Sequence, residues 1–226
     1  MNEASADLSA LLEEVQNAAR RAGRPSPRLL AVSKTQPAEA VARLADAGQR
    51  AFGENYVQEA LAKIHALSGR GLEWHLIGHL QSNKAREAAQ HFDWVQTVDR
   101  PKLVAALASH RPPELTPLNV LIQVNPDDEQ GKSGCAPGQV PALAAAIAAQ
   151  PRLRLRGLMA IPEPGADRSR YASVKKVFEQ LKGRFGFDTL SMGMSDDLDV
   201  ALAEGSTMVR VGTAIFGPRK KEKTAA

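Results

Sequence analysis

Cysteine is nearly absent: Cys135 stands alone among 226 residues. One thiol cannot form an intramolecular bridge, so a disulfide-stapled secreted scaffold is excluded and the reducing cytoplasm is the expected compartment. Aromatics are scarce as well, two Trp, two Tyr and six Phe. None is interleaved with a basic cluster, so nucleic-acid binding is not expected. No apolar run approaches the length of a membrane span, and no membrane association is expected. Residues 1–20 carry acids and lack the apolar stretch of a secretory signal. Charge of one sign is also missing: 29 basic residues face 25 acidic ones, for a net +4. Much of that excess sits in the tail, residues 218–223, which reads as a solvated segment or, alternatively, an anion-attracting one.

What is present suits a globular chain: 43% hydrophobic and 24% charged residues, enough to bury a core without staples. Short β-like runs alternate with helical stretches. Strands are expected at 29–33, 50–52, 72–77, 94–98, 117–124, 153–159, 189–192 and 208–211. Helices are expected at 37–47, 55–67, 82–90, 100–110, 141–150, 168–184 and 196–203, with a leading helix at 6–21 and a basic tail at 218–226. Eight strands, each followed by a helix or the chain end, predict parallel β-α units closed into an α/β, (β/α)₈ TIM barrel, one domain over 1–226. The competing doubly wound sheet carries a Gly-rich loop at its first β-to-α turn. Here that turn is Ser33-Lys34-Thr35-Gln36-Pro37, without glycine.

Reactive groups of such a barrel gather where strands end. Lys34 follows the apolar run Leu29-Leu30-Ala31-Val32. Projecting into a barrel mouth it would be partly desolvated, which favours the neutral amine that imine chemistry needs. A solvent-facing lysine at a strand end is the plainer alternative, and from position alone the commoner one. Loops after strands seven and eight form the usual phosphate cradle of this fold. They read Ser191-Met192-Gly193-Met194-Ser195 and Val209-Arg210-Val211-Gly212-Thr213. Ser195 offers a hydroxyl, and the backbone at Gly212 and Thr213 offers N–H donors. Ser195 is equally suited to cap a helix, and Asp196 and Asp197 would repel an anion unless turned away. Arg210, alone in an apolar strand, calls for a carboxylate partner or a ligand.

Several motifs fail on inspection. Gln130-Gly131-Lys132-Ser133 resembles the end of a P-loop, but Pro126 stands where its first glycine is required. His75 and His79 lack the glutamate between them and straddle a strand end, so no metal site is expected. Met192 and Met194 read as packing rather than ligation.

Three stretches carry a resemblance: Leu30-Ala31-Val32-Ser33-Lys34-Thr35, Phe52-Gly53-Glu54-Asn55-Tyr56-Val57-Gln58-Glu59, and Trp74-His75-Leu76-Ile77-Gly78-His79-Leu80-Gln81-Ser82-Asn83-Lys84. With Gly157-Leu158-Met159-Ala160-Ile161-Pro162, Leu190 to Ser195 and Gly205 to Gly217, in that order, they closely resemble the pyridoxal phosphate homeostasis protein family, which is alanine racemase-like. The likeness runs from about Leu29 to Gly217. It implies a barrel like the N-terminal domain of alanine racemase, with pyridoxal 5′-phosphate held as an internal aldimine (Schiff base) on Lys34. It implies that Ser195, with Met194 beside it and the Gly212–Thr213 backbone, holds the phosphate. Arg210 would face the pyridine nitrogen, and Asn55 would flank the ring.

The resemblance implies a carrier or regulator of vitamin B6 pools with no catalytic residues. A fixed cation at the pyridine nitrogen weakens the ring as an electron sink. Racemases of this arrangement use a second base from another domain; no such domain is expected here, and the only tyrosines of the sequence are Tyr56 and Tyr171. The alternative is a weak amino-acid racemase or another pyridoxal phosphate-dependent lyase. Apo-enzymes are the expected recipients, and a monomer is the expected state.

Overall fold

A computed structural model describes residues 3–126, 131, 133–163 and 165–217. Eight parallel strands close in sequence order into a barrel. They are β1 (Arg28–Val32), β2 (Ala51–Glu54), β3 (Glu73–Leu76), β4 (Trp94–Val98), β5 (Leu118–Val124), β6 (Leu153–Ala160), β7 (Thr189–Ser191) and β8 (Met208–Val211). The helices are α1 (Glu3–Arg21), α2 (Ala38–Asp46), α3 (Val57–Ala66), α4 (Ala85–His91), α5 (Pro101–His110), α6 (Val140–Ala148), α7 (Arg168–Phe185), α8 (Leu198–Ala203) and α9 (Thr213–Phe216). The expected barrel and leading helix are therefore found. The turn α9, directly after β8, was not foreseen, because four residues carry too little periodicity to read.

Alternation along each strand divides the core in two. Leu29 and Ala31 of β1 join the large cluster shared with the helices. Leu30 faces inward and packs with Ala51, Ile77 and Met208, and Val32 packs against that group. Trp94, Leu121 and Met159 form a second inward group. In α1, Leu8, Leu11, Val15, Ala18 and Ala19 fall on one buried stripe. That stripe lays the helix across α2, α8 and α9, over the seam where β8 meets β1. Pro101 opens α5 at its first turn, where its missing N–H costs nothing. Asp167 caps α7 by accepting from the Ser169 N–H at 2.8 Å, and Gly186 ends that helix in the left-handed region.

Candidate functional site

Alternation continues past the end of β1. The Ser33 N–H still bonds the Gly53 carbonyl at 2.9 Å, and two residues beyond Val32 the half-buried Lys34 lines a pocket at the mouth. Val32, Gln36, Gly212, Thr213 and Gly217 line the same open pocket. Sequence reading thus placed an amine and a glycine turn on two distant segments, and the β1–β8 pairing brings them to one rim. A Cβ at Gly212 would lie 3.3 Å from the Val32 carbonyl oxygen, so the absent side chain leaves the wall of this cradle open.

The backbone around Lys34 is pinned from one side by β2 and α3. Lys63 donates to the Ser33 carbonyl at 2.7 Å, to Glu54 Oε1 at 2.8 Å and to Glu59 Oε1 at 2.7 Å. The Ser33 hydroxyl donates to Glu54 Oε1, and the Thr35 N–H to Glu59 Oε1, each at 2.5 Å. Thr35 adopts φ +64°, a left-handed conformation uncommon for a β-branched residue, and it turns the chain immediately after Lys34. Burial pushes the Glu54 carboxyl above its ordinary range, against the pull of Lys63 and Ser33. Its Oε2 is buried without a partner among the described residues.

Arg210 projects inward from β8 and is 3% exposed. It meets no carboxylate among the described residues. Its Nη1 donates to the carbonyl and the hydroxyl of Ser191, both at 2.8 Å, and its Nη2 to the Ala160 carbonyl at 2.9 Å. Of the two partners expected for this arginine, the ion pair is therefore not the one found. Burial lowers the guanidinium pKa to about 10, with Asp197 opposing, and it stays charged at neutral pH.

Asn55 is half-buried after β2, and a Cβ on Gly78 would stand 2.1 Å from its carbonyl oxygen. After β7, Gly193 adopts φ +92°, and the exposed Met194 and Ser195 follow it. Ser195 is not the helix cap that its sequence context suggests. Met194 holds the cap position of the 3₁₀ turn Ser195–Asp197, and Asp197 that of α8. The Ser195 hydroxyl makes no hydrogen bond to the described residues. Asp197 is occupied by the Met194 N–H and the Tyr171 hydroxyl, both at 2.5 Å.

Lys34, Gly212 and Thr213 therefore share one pocket. Asn55, Met194, Ser195 and Arg210 do not line it, but they stand on or just beyond β2 and β8, which pair with β1, and β7, which pairs with β8. His75 and His79 diverge: the first is enclosed in the barrel, and the second meets Ser133 Oγ at 3.1 Å. Gln130, Lys132 and the basic tail lie outside the described residues. The thiol of Cys135 is buried, which raises its pKa to about 11.

Sequence reading missed Glu54, Glu59 and Lys63 as a unit, and it missed the inward-facing His75, Gln96 and Ser191. The signal was available, since these are polar groups in otherwise apolar strands or on the inner face of a helix. The same signal singled out Arg210.

The family model described as alanine racemase, N-terminal domain, matches residues 6–220. A pyridoxal phosphate homeostasis protein of Escherichia coli strain K12 is 53% identical over 234 aligned residues, covering 99% of this chain and all of that protein. The structure of PipY from Synechococcus elongatus PCC7942 with PLP bound is 35% identical, with a TM-score of 0.83, over 95% of this chain and 100% of that one. The alanine racemase of Bartonella henselae, at 16% identity and a TM-score of 0.72 over 98% of this chain and 60% of its own, shares the fold. No helix among the described residues is long and apolar enough to cross a membrane. With a closed barrel, a rim lysine facing a glycine turn and relatives of this identity over nearly its whole length, the chain belongs to the pyridoxal phosphate homeostasis proteins of the alanine racemase N-terminal domain family.

Proposed function

We propose that this chain binds pyridoxal 5′-phosphate reversibly at Lys34 and serves the homeostasis of vitamin B6 and amino acids rather than a dedicated reaction. The single observation that carries this reading is the shared pocket of the Lys34 side chain and the Gly212–Thr213 turn. When bound, the cofactor supplies an aldehyde that condenses with an amine and releases water. The chain's own residues have distinct tasks. Val32 and its neighbours exclude water from one side of the amine, and the Lys63 network holds the backbone on both sides of it. Gly212 and Thr213 leave room and N–H groups for a phosphate, and Ser195 adds a hydroxyl from the adjoining rim. Arg210 presents a fixed cation to the ring, and Asn55 flanks it.

The tyrosines favour a carrier over an enzyme. Tyr171 is buried on α7 with its hydroxyl committed to Asp197, and Tyr56 is 65% exposed beside Asn55. On this reading neither serves as a second acid/base. The monomer and the apo-enzyme recipients belong to the same proposal. The competing reading, a weak racemase or lyase, takes its support from the fold shared with alanine racemase.

The experiment is borohydride reduction of the protein loaded with pyridoxal phosphate, followed by peptide mass mapping. The added mass should fall on the peptide containing Lys34, and Lys34→Ala should lose both the mass and the visible absorbance. Modification elsewhere overturns the site. Sustained turnover of an L-amino-acid panel, abolished by Lys34→Ala, would favour the enzyme.

A further inference from the structure

A line of hydrogen bonds crosses the barrel interior from floor to mouth, and it ends on Arg210. The Nη1 of Arg210 donates to Ser191 Oγ on β7. The Ser191 hydroxyl donates to Gln96 Oε1 on β4 at 2.8 Å. The Gln96 amide nitrogen lies 2.9 Å from His75 Nδ1 on β3, and 3.2 Å from the sulfur of Met208. His75 Nε2 bonds Glu73 at the first residue of β3, and Glu73 pairs with Arg28 at 2.8 Å. His75, Gln96 and Ser191 have no solvent exposure at all.

The donor count allows only one direction along this line. Arginine has only donors, so Ser191 Oγ must accept from it and spend its own proton on Gln96 Oε1. That orients the amide and aims its N–H₂ at His75, whose Nδ1 must then accept. The imidazole proton is left on Nε2, facing the Glu73 carboxylate. Reversing the amide would give Ser191 a second donor and leave its proton without this acceptor. It would also demand a proton on Nδ1, so the imidazole would either become a buried cation or turn a bare nitrogen toward a carboxylate. A buried network of this kind is stable only when every member is satisfied, and here a single arrangement satisfies it. A guanidinium carries five N–H donors. Three go to Ser191 and Ala160, and the other two have no partner among the described residues.

We infer that Gln96 and Ser191 are positioning residues for the cofactor: with His75 and Glu73 they form a one-way hydrogen-bonded line that fixes the plane of the Arg210 guanidinium and aims its two remaining N–H groups at the ring nitrogen of pyridoxal phosphate. This inference rests on the cofactor reading above. It goes beyond that reading by assigning the orientation of the cation to residues that touch neither the cofactor nor Lys34.

The test uses full-length protein loaded with pyridoxal phosphate and follows its visible absorbance against pH. Loosening the guanidinium weakens the fixed positive field at the ring, so protonation of the bound chromophore should become easier. Ser191→Ala and Gln96→Leu should each raise the apparent pKa of the spectral transition by about one unit, a tenfold change in that equilibrium. The double variant should shift it no further than either single one, because both cut the same line. Ser191→Thr keeps the oxygen and should titrate like wild type, a rescue that a purely packing role does not predict. Ser191→Ala removes one oxygen only and carries the test alone if Gln96→Leu does not fold by circular dichroism. Wild-type titration in a folded, loaded Ser191→Ala variant overturns the inference. Failure of the wild-type protein itself to acquire the absorbance overturns the cofactor reading instead, so the two failures are distinguishable.

Discussion

The ammonium of Lys63 lies 2.8 Å from Glu54 Oε1, and neither side chain is more than 6% exposed. This ion pair is sealed between α3 and the end of β2, with Glu59 as its third member. Its hydrogen bonds terminate on the Ser33 carbonyl and the Thr35 N–H, one residue to each side of Lys34. A pair so buried gains little net stability over an apolar substitute, but breaking it leaves an uncompensated charge.

Lys63→Met should therefore destabilise the cofactor-free protein by about 3–5 kcal/mol. The double variant Lys63→Met/Glu54→Gln should recover part of that loss, because the stranded carboxylate is then gone. Urea unfolding of the three proteins is the measurement. An unchanged midpoint in Lys63→Met would show that the triad is dispensable.

Ser195→Ala separates holding a ligand from holding the fold. Its hydroxyl bonds none of the described residues, so the cofactor-free melting temperature should stay put, with a stability change within about 0.5 kcal/mol. Retention of pyridoxal phosphate in equilibrium dialysis should fall. A large drop in melting temperature with retention intact would return Ser195 to a structural role.

Gly78→Ala tests the support of Asn55. The added methyl group would stand 2.1 Å from the Asn55 carbonyl oxygen, so the loop after β2 has to move. We expect a loss of about 1–3 kcal/mol, the usual cost of overpacking, together with weaker cofactor retention. Wild-type values for both would mean that the loop yields without consequence.

Stability should fall in acid in two stages. Burial holds the His75 imidazole below its ordinary 6.5, against the pull of Glu73. The unfolded chain takes up a proton near 6.5 and the folded one does not, so stability is complete above that pH and is lost as pH falls through it. Burial opposes ionisation of Glu73, yet the His75 N–H and the Arg28 guanidinium outweigh it and hold the carboxyl at about 2. Its contribution is present above 4.5 and is lost as pH falls from there toward 2. Denaturant midpoints measured across pH should show both losses, and His75→Gln should remove the first. A midpoint in His75→Gln that still declines below 6.5 as in wild type would assign the loss to another group.

The barrel was legible because its signals are local. Apolar runs such as Leu118–Val124 and helix stripes such as Leu8, Leu11 and Val15 repeat within a few residues. Strand ends could be located from them, and with the strand ends came Lys34, Arg210 and Gly212 as candidates. Lys63 was not legible, because a lysine four residues after Glu59 reads as a solvated helix pair. Only the packing of α3 on β2 buries it.

The sequence by itself determined the order of strands and helices, the place of Lys34 at the end of β1, and the family. Tertiary structure alone decided which polar groups meet. Gln96 and Ser191 are 95 positions apart and touch because the closing sheet turns both toward one axis. Ser195 is relieved of capping because Asp197 takes the Met194 N–H. Periodicity fixes the face on which a side chain lies, whereas its partner across the barrel depends on the register of strands that share no local sequence.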